Sequence, residues 1–455
     1  MGKTPDRDSP DRHLTKRAGV YQYKRRVPKV VAHLDDRAPH VRLSLGTDDR
    51  ALARTKRDML EAADDALWAS LIVEDPVEAA RERHKAAMRR VEALGFTFRT
   101  ADSLSDMASM QDIARRFELL VANRFPAETE RSVAGMIDAP VVSVSRAFVI
   151  YCDEIVPDEL LGKSAHQKAQ WRKVKQRAVN NFIALAGDKA MTEINRDDAL
   201  RLYNVWRTRI APRENEGKPT HSASSGNRDI GNMRVLYDAY FTHIGEVDRP
   251  NPFAKLNFLV RKKKRRPPFP TEWIRDHILR PGALAGLNDE ARGILLIMVE
   301  TGARPSEICN LSSSTIRLTH KVPHLAIEPS DDPDDPREIK TESSERKVPL
   351  VGVALAAAQR HATGFPRYRN RENDLSATLN KFLKTNGLFP SRSHKVYSLR
   401  HSFEDRMKNA GLDDELRRIV MGHAIDRPQY GSGGSLEWRR DELTRLVLPY
   451  DPSIV

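Results

Sequence analysis

Residues 293–307 read Gly-Ile-Leu-Leu-Ile-Met-Val-Glu-Thr-Gly-Ala-Arg-Pro-Ser-Glu. The first eight of them are apolar on nearly every side, which predicts a buried helix, and Gly302 follows where such a helix ends. Pro305 suits the first position of a second helix, which we predict over 303–311. Arg304 then lies just outside a helix N-terminus, where a guanidinium and the helix dipole together favour an anion. Alone this signal is weak, because Gly-x-Arg-Pro turns occur by chance.

Two further stretches carry residue types suited to phosphate chemistry. Beyond a strand predicted over 322–329, residues 337–350 are predicted to form a hairpin that carries Lys340. Residues 397–403 read Tyr-Ser-Leu-Arg-His-Ser-Phe and open a predicted helix that ends at Gly411. A lysine on a hairpin is usually only solvated, so neither stretch identifies a site by itself.

The chain continues with Met-Gly-His at 421–423, which closes the next predicted helix. Tyr430 lies seven residues after His423 in a glycine-rich stretch. A last helix is predicted over 436–448 with one apolar face, and the sequence leaves open whether that face packs on its own domain or on a neighbouring copy.

The chain has 455 residues, and 76 Lys plus Arg against 63 Asp plus Glu give a net charge of +13. This balance favours nucleic acid as partner before an acidic membrane surface. The longest apolar run, 294–299, is far short of a membrane span, and the N-terminus lacks the apolar core of a secretory signal. Cys152 and Cys309 cannot form a disulfide framework or a cysteine-rich zinc site. We therefore expect a cytoplasmic, nucleoid-associated protein.

The predicted fold class is mainly α with small antiparallel β-sheets. Five segments are expected along the chain: a basic N-terminal β-containing module (1–100), a helical connector (101–138), a helical core-type DNA-binding domain (139–255), a basic linker (256–268) and a mixed α+β catalytic domain (269–455).

Three sets of cations are candidates for contacts with DNA phosphates. The first is Arg25, Arg26 and Arg42, on strands predicted over 20–28 and 40–47 in front of a helix over 50–68. The second is Lys168 and Arg172 on a helix of the core-type domain. The third lies in the linker, which is expected to stay extended along the DNA backbone: Arg261, Lys262, Lys263, Lys264, Arg265 and Arg266. The alternative for each set is a solvated charged surface, which is what a run of charges usually is.

Taken together, the motifs at 301–307, 340–350, 397–403, 421–423 and Tyr430 resemble those of the tyrosine recombinases, the phage-integrase group of site-specific DNA recombinases. They occur in that family's order and with similar spacing. The resemblance implies integration or excision of a mobile element by a homotetramer bound to double-stranded attachment-type sites, with accessory DNA-bending or directionality proteins. No cofactor, metal ion or ATP is implied.

The resemblance also implies a role for each matching residue. Tyr430 would attack the scissile phosphate to form a 3′-phosphotyrosyl bond, and Arg304 and Arg400 would bind the non-bridging oxygens. Lys340 would protonate the departing 5′-oxygen. Glu307 would support the arginines, His401 would be structural, and His423 would bind the phosphate or position Tyr430.

One position departs from the family pattern, because Tyr397 stands where the family commonly has histidine. A tyrosine there can still donate to a phosphate oxygen, but it puts an acid–base role in doubt. It also makes Tyr397, like Tyr450, a rival to Tyr430 as the nucleophile; Tyr430 is preferred because it follows the Gly-His turn in a flexible segment.

The residues themselves explain why such a set suits phosphodiester chemistry. Two guanidinium forks match two phosphate oxygens, a phenol needs activation to attack, and an alkoxide needs an acid to leave. No sequence pattern for a metal site or a P-loop is found, and the acidic tract 331–336 lacks the pattern of a calcium loop. Two alternatives stay open: a type IB-like topoisomerase, and a non-catalytic DNA-binding regulator with a recombinase-like fold.

Overall fold

The computed structural model describes residues 9–138, 140–214, 217–260, 266–339, 341–424 and 433–455. The chain divides into two compact units, Met1–Glu159 with Trp171–Val260, and Leu160–Gln170 with Arg261–Val455. The boundary after Val260 falls inside the predicted linker. Among the described helices, none combines the length and the apolar character needed to cross a bilayer.

The first unit contains a small sheet and most of the helices before the linker. Its strands are β1 (Leu14–Arg17), β2 (Val20–Arg26) and β3 (His40–Ser44). Its helices are α1 (Arg50–Ile72), α2 (Pro76–Ala93), α3 (Ala101–Met107), α4 (Met110–Ala122), α5 (Ala127–Val133), α6 (Val144–Ile150), α8 (Arg196–Ile210) and α9 (Ala223–His243). Helix α7 (Ala165–Ala186) begins in the segment assigned to the second unit.

The N-terminal sheet is antiparallel in the order β1-β2-β3, and one of its faces packs on α1. Tyr23 is buried on that face and donates to Asp64 Oδ2 at 2.8 Å. The opposite face is open to solvent. There the register places Lys24 directly opposite Arg42, and Arg26 opposite His40. Like charges that face each other across strands destabilise a sheet, so this open face is strongly cationic at a cost in stability.

Arg25, predicted to contact DNA phosphates together with Arg26 and Arg42, does not share their face of the sheet. Side chains alternate along a strand, so Arg25 points to the face that packs on α1. Its guanidinium pairs with Asp65 at 2.7 Å, donates to the Glu61 carbonyl and stacks 4.5 Å from the Trp68 ring. Arg25 therefore holds the sheet on α1.

Residues 142–256, with helices α6, α7, α8 and α9, form a separate core that includes Phe182, Trp206 and Tyr240. Helix α8 begins with a capping box in which Asn195 and Asp198 each accept from the other's backbone N–H. Arg172, predicted to contact DNA, is exposed and pairs with Asp153 at 3.0 Å. Lys168, which belongs to the second unit, is also exposed.

The second unit surrounds one large core with helices and a three-stranded antiparallel sheet. Its strands are β4 (Ile316–Arg317), β5 (His324–Ile327) and β6 (Arg346–Pro349). Its helices are α10 (Thr271–Trp273), α11 (Asp289–Thr301), α12 (Pro305–Ile308), α13 (Gly352–Arg360), α14 (Glu372–Thr385), α15 (Ser398–Asn409), α16 (Asp414–Met421) and α17 (Leu436–Thr444). The protein is thus mainly α with two small antiparallel sheets, as predicted.

Helix α11 is the centre of this unit, and nearly all of its residues are buried. It ends at Gly302, which has φ 60° and donates its N–H to the Met298 carbonyl. A Cβ at Gly302 would lie 2.7 Å from Phe403 and 3.1 Å from the sulfur of Met421. The glycine therefore permits both the left-handed turn and the close approach of α15 and α16.

A buried ion pair fixes α15 against α11. The guanidinium of Arg406 pairs with Glu300, whose side chain is fully buried, and donates to the Val299 carbonyl at 3.1 Å. The second carboxylate oxygen of Glu300 accepts from the Leu448 N–H at 3.0 Å. Because a buried charge is costly unless it is fully paired, these contacts fix the orientation of the helix that carries Arg400.

Two predictions about this unit are wrong in detail. The helix predicted over 303–311 covers only Pro305–Ile308, because the Asn310 side chain donates to the Ser306 carbonyl and takes the place of the next helical hydrogen bond. Among the described residues of this stretch, 337–339 and 341–350, the predicted hairpin is not formed either. Strand β6 pairs with β5, and residues 342–344 form a 3₁₀ turn in front of it.

The last helix packs on its own unit, which settles the choice that the sequence left open. Leu443 of α17 is buried in the core of the second unit, as are Leu446 and Leu448, which follow the end of the helix at Thr444. The apolar face of this helix is therefore occupied within the chain.

We expect Gly302→Ala to lower the free energy of unfolding by roughly 2–4 kcal/mol, because the substitution adds overpacking to an unfavourable left-handed φ. Gly411→Ala is the matched control, since Gly411 has φ +74° with no atom within 4 Å of the added Cβ. Urea or thermal unfolding of both variants measures the difference. Equal losses would mean that the packing around Gly302 adds nothing to stability.

Candidate active site

Arg304 is held at the start of α12, two residues after the left-handed Gly302. Its backbone N–H donates to Glu307 Oε2 at 2.7 Å, and its guanidinium pairs with Glu307 Oε1. The same guanidinium lies 3.4 Å from Ser344 Oγ. The Arg304 side chain is mostly buried. The carboxylate of Glu307 holds both its backbone N–H and its guanidinium, and so sets its orientation.

Glu307 is shared between two arginines. Besides Arg304, it accepts from Arg346 at 2.8 Å and 3.2 Å, one distance to each carboxylate oxygen. Burial alone would raise the pKa of Glu307, but hydrogen bonds and charge from Arg346, together with Arg304, hold that pKa below its usual value. These contacts hold Glu307 between the two arginines, and its supporting role in the reaction stays a prediction.

Arg400 lies on the first turn of α15 and is buried. It donates to two main-chain carbonyls, that of Gly302 at 2.7 Å and that of Met421. Burial, followed by the positive charge of nearby Arg304, lowers the pKa of Arg400 to about 10. Two guanidinium groups close enough to repel each other form a site that favours an anion.

Helix α16 ends beside both arginines in the turn Met421-Gly422-His423. Gly422 is left-handed with φ 60°, and its carbonyl lies 3.5 Å from the Arg304 guanidinium. His423 Nε2 lies 3.3 Å from Arg400 Nη2. Because arginine can only donate, that ring nitrogen accepts, and the neutral ring carries its proton on Nδ1.

The charge around His423 determines its protonation state. Burial and then the positive charges of Arg400, Arg304 and Arg346 lower the pKa of His423 to about 4. The imidazole is therefore neutral at neutral pH. In that form it can donate from Nδ1 or accept a proton, but it adds no positive charge to the site.

Arg346 is a member of this site that the sequence analysis did not assign. Its side chain is 1% exposed and makes two bonds beyond those to Glu307, from Nε to the Val420 carbonyl at 2.8 Å and from Nη1 to the Ser344 carbonyl at 2.7 Å. The signal was its alternation with Val348 on a strand, which puts a charge at an inward-facing position that needs an acidic partner.

Tyr397 and His401 lie next to this cluster at the start of α15. Their rings meet edge to face at 5.7 Å, and the Arg266 guanidinium lies 5.3 Å from the Tyr397 ring. Burial, followed by the charges of Arg266 and Arg400, lowers the pKa of His401.

The structure thus brings Arg304, Arg400, His423 and Glu307 together. Lys340 and Tyr430 lie outside the described residues, as do the linker cations Arg261, Lys262, Lys263, Lys264 and Arg265. Across the described part of the chain, no group of three or more His, Cys, Asp or Glu side chains is arranged to hold a metal ion.

Comparison with known proteins supplies two family matches. The model of the phage integrase family matches residues 283–427, and that of a domain of unknown function, DUF6538, matches residues 13–72. A comparison with curated proteins finds no match.

Several solved structures are similar to this chain at low identity. The Tn1549 transposon integrase in complex with transposon right end DNA is 17% identical with a TM-score of 0.42, over 62% of this chain and 92% of that one. A lambda integrase tetramer bound to a Holliday junction is 15% identical with a TM-score of 0.44, over 93% and 99%. The integrase from mycobacterium phage Brujita is 16% identical with a TM-score of 0.31, over 68% and 92%.

These TM-scores are too low to establish a shared fold, so the family model carries the assignment. The matched region contains every described residue of the cluster, including Arg304, Arg346, Arg400 and His423. The part of the chain that holds the cluster, residues 283–427, is therefore the part that matches the model of the phage integrase family.

Proposed function

We propose that the protein is a site-specific DNA recombinase that cuts and rejoins strands through a covalent 3′-phosphotyrosyl intermediate, in the integration or excision of a mobile element. The observation that carries this proposal is the convergence of Arg304, Arg400 and His423 on the single turn that ends α16. The five-motif order of the sequence leads to the same function.

The two arginines bind the scissile phosphate. Each keeps N–H groups beyond those bonded to carbonyls or to Glu307, because a guanidinium has five. Charge builds on the non-bridging oxygens as phosphorus becomes pentacoordinate, and fixed guanidinium groups stabilise that charge without reorganising. The single carboxylate of Glu307 leaves the cluster with excess positive charge.

Tyr430 is the proposed nucleophile, and the described residues on either side limit where it can reach. It lies three residues before Gly433, where a Cβ would lie 2.3 Å from Ile419 of α16. Three residues span at most about 11 Å. The length of chain between Tyr430 and Gly433 therefore allows the proposed attack beside α16.

Lys340 is the proposed general acid, and its chain neighbours support this placement. Ile339 lines the same cavity as Arg304. Thr341 Oγ1 lies 2.9 Å from Ser344 Oγ, the hydroxyl that Arg304 also contacts.

In the proposed step, the Tyr430 phenol gives its proton to solvent as its oxygen attacks phosphorus, the new bond between that oxygen and phosphorus forms, and the bond to the 5′-oxygen breaks. Lys340 gives its proton to the leaving 5′-oxygen. The neutral ring of His423 donates from Nδ1 to a phosphate oxygen or positions the phenol. Rejoining is the same step in reverse, so the energy of the phosphodiester is conserved in the covalent link and no nucleotide is consumed.

Arg346 acts in this proposal as a positioning residue. The Arg346 guanidinium bonds to the Glu307 carboxylate, which orients Arg304. It also bonds to the Val420 carbonyl in the last turn of α16 and to the Ser344 carbonyl. A Cβ at Gly422 would lie 2.8 Å from Arg346 Nη1, so the turn lies directly on this guanidinium. Arg304 and His423 therefore take their relative positions from Arg346.

Recombination between two duplexes requires four strand cuts, so we propose that four copies act together on attachment-type sites. The open face of the N-terminal sheet (Lys24, Arg26 and Arg42) and the basic linker would contact DNA phosphates away from the cut. Accessory DNA-bending or directionality proteins fit the same proposal.

We expect Tyr430→Phe to abolish the covalent protein–DNA adduct on a nicked suicide substrate, because the attacking oxygen is gone, while duplex binding stays within about twofold of the parent. Denaturing gels detect the adduct, and gel shifts measure binding. Tyr397→Phe and Tyr450→Phe are matched controls that should retain the adduct.

Adduct formation by the Tyr430→Phe variant would remove Tyr430 from the proposed role. If no variant and not even the parent forms an adduct on cognate DNA, the protein is a non-catalytic regulator. Relaxation of a supercoiled plasmid that lacks any special site would favour a topoisomerase. Loss of cleavage in the presence of EDTA would favour a metal-dependent nuclease.

Arg304→Ala should lower the single-turnover cleavage rate by on the order of 10²-fold or more, because the variant has only one of the two phosphate-binding forks. Arg317→Ala is the matched control, since Arg317 is a half-exposed arginine of the neighbouring strand β4 that pairs with Glu328 at 3.5 Å. A cleavage rate for Arg304→Ala equal to that of the control would exclude Arg304 from the reaction.

For Arg346, a positioning role predicts that Arg346→Met lowers the cleavage rate about tenfold or more at saturating DNA, with DNA affinity nearly unchanged. The double variant Arg304→Ala/Arg346→Met should then be little slower than Arg304→Ala alone, because Arg346 acts through Arg304. Melting temperatures report any loss of stability. Rate losses that multiply in the double variant would show that Arg346 acts independently of Arg304.

A further inference from the structure

A hollow of about 890 Å³ lies in the second unit, outside the cluster described above. One wall is the end of α14, and the other is the segment 387–395 that leads towards α15. The charged side chains that line it are all basic: Lys381, Lys384, Arg392 and Lys395. We call this cavity, with its four cations, the basic hollow.

The positive charge of the basic hollow is not balanced locally. No acidic side chain lines it, and none of its four cations forms an ion pair with an acid in the described part of the chain. Elsewhere on this unit exposed arginines do have such partners, as in Arg371 with Asp374 at 2.7 Å and Arg275 with Asp276 at 2.6 Å. Four cations that converge without a counter-charge form a region of positive potential that favours a polyanion.

The walls of the basic hollow are fixed by hydrogen bonds. The Val396 N–H donates to Asn380 Oδ1 at 3.0 Å and ties the segment to α14. The buried His394 ring contacts Ser391 Oγ at 2.9 Å and the Pro268 carbonyl at 3.1 Å. Because the backbone is held in this way, the cations keep fixed attachment points instead of lying on a loose loop.

The basic hollow is close along the chain to residues of the candidate active site. Lys395 precedes Tyr397 by two residues and Arg400 by five. The chain that leaves the basic linker arrives at the same place, since the Phe269 N–H donates to Ser402 Oγ at 2.7 Å and the Arg266 guanidinium lies 5.3 Å from the Tyr397 ring. A duplex bound at the arginines would therefore have its neighbouring phosphates beside the hollow.

We propose that the basic hollow binds backbone phosphates of the DNA that flanks the cleaved position. This inference rests on the proposed function for its ligand, double-stranded DNA. Such contacts are independent of sequence, so they hold the duplex in register while other residues read bases. Each neutralised phosphate releases counterions, which makes the contribution measurable from the salt dependence of binding.

The test compares two fourfold variants that lose the same charge. One replaces the basic hollow (Lys381→Gln, Lys384→Gln, Arg392→Gln and Lys395→Gln). The other replaces four cations of the same unit that pair with acids (Arg275→Gln, Arg371→Gln, Arg440→Gln and Arg445→Gln). Fluorescence anisotropy with a labelled duplex gives the dissociation constant over a range of salt concentrations.

For the basic-hollow variant, we expect the slope of log affinity against log salt to decrease by about 0.9 for each phosphate that the protein no longer neutralises, so by about two to four in total. The control variant should change the slope by less than about one. A second duplex, shortened on the flank beyond the nick, should bind parent and basic-hollow variant alike. The proposal would be overturned if the two variants had equal salt slopes. It would also be overturned if the slopes of the parent and the basic-hollow variant differed as much on the shortened duplex as on the full one.

The same samples separate this inference from the proposed chemistry. At saturating DNA and low salt, the basic-hollow variant should form the covalent adduct at a rate within about threefold of the parent, since no residue of the cluster is altered. If the parent forms no adduct while the slopes differ as expected, the basic hollow binds DNA and the proposed recombinase activity is wrong. A strong loss of adduct at saturation would instead place the four cations in the catalytic site and contradict the proposal.

Discussion

The candidate site depends on main-chain carbonyls at two glycine turns that accept from buried guanidinium groups. Helices α11 and α16 both end in left-handed glycines, Gly302 and Gly422, each with φ 60°. Arg400 donates to the carbonyls of Gly302 and Met421, and Arg304 lies beside the carbonyl of Gly422. The two helix ends, where carbonyl groups lack helical partners, are thus satisfied by the side chains that the proposed chemistry requires.

This arrangement has an electrostatic cost that a phosphate would offset. Arg304 and Arg346 share the carboxylate of Glu307, whereas Arg400 pairs with main-chain carbonyls. Burial, followed by the charges of Arg400, Arg304 and Arg346, lowers the pKa of His423 to about 4, so its ring is neutral at neutral pH. A diester phosphate that enters the cluster supplies the missing negative charge. The transition state supplies more, so its stabilisation is greater than that of the bound substrate.

The sequence predicted much of this because local patterns determine the features concerned. The apolar run of α11, the glycine after it and the proline of α12 are read from periodicity and caps, and the motif order placed Arg304 and Arg400 in one site. Strand β6 pairs with β5 instead of forming a hairpin, and this pairing depends on contacts between distant parts of the chain that local sequence pattern does not determine. The inward orientation of Arg25 follows from alternation along β2, and was missed because Arg25, Arg26 and Arg42 were treated as one set. Arg346 was missed because its partner, Glu307, lies 39 residues earlier and meets it only in the folded chain.

The carbonyl acceptors of Arg400 also bear on how this protein can change over time. A side-chain acceptor is removed by a single substitution, whereas the oxygen of a peptide bond is present whatever residue occupies the position. As long as the two turns keep their backbone path, mutational drift in the surrounding residues leaves the anchoring of this guanidinium intact. The geometry of the site can thus persist through extensive sequence divergence, with the two glycines as its most vulnerable points.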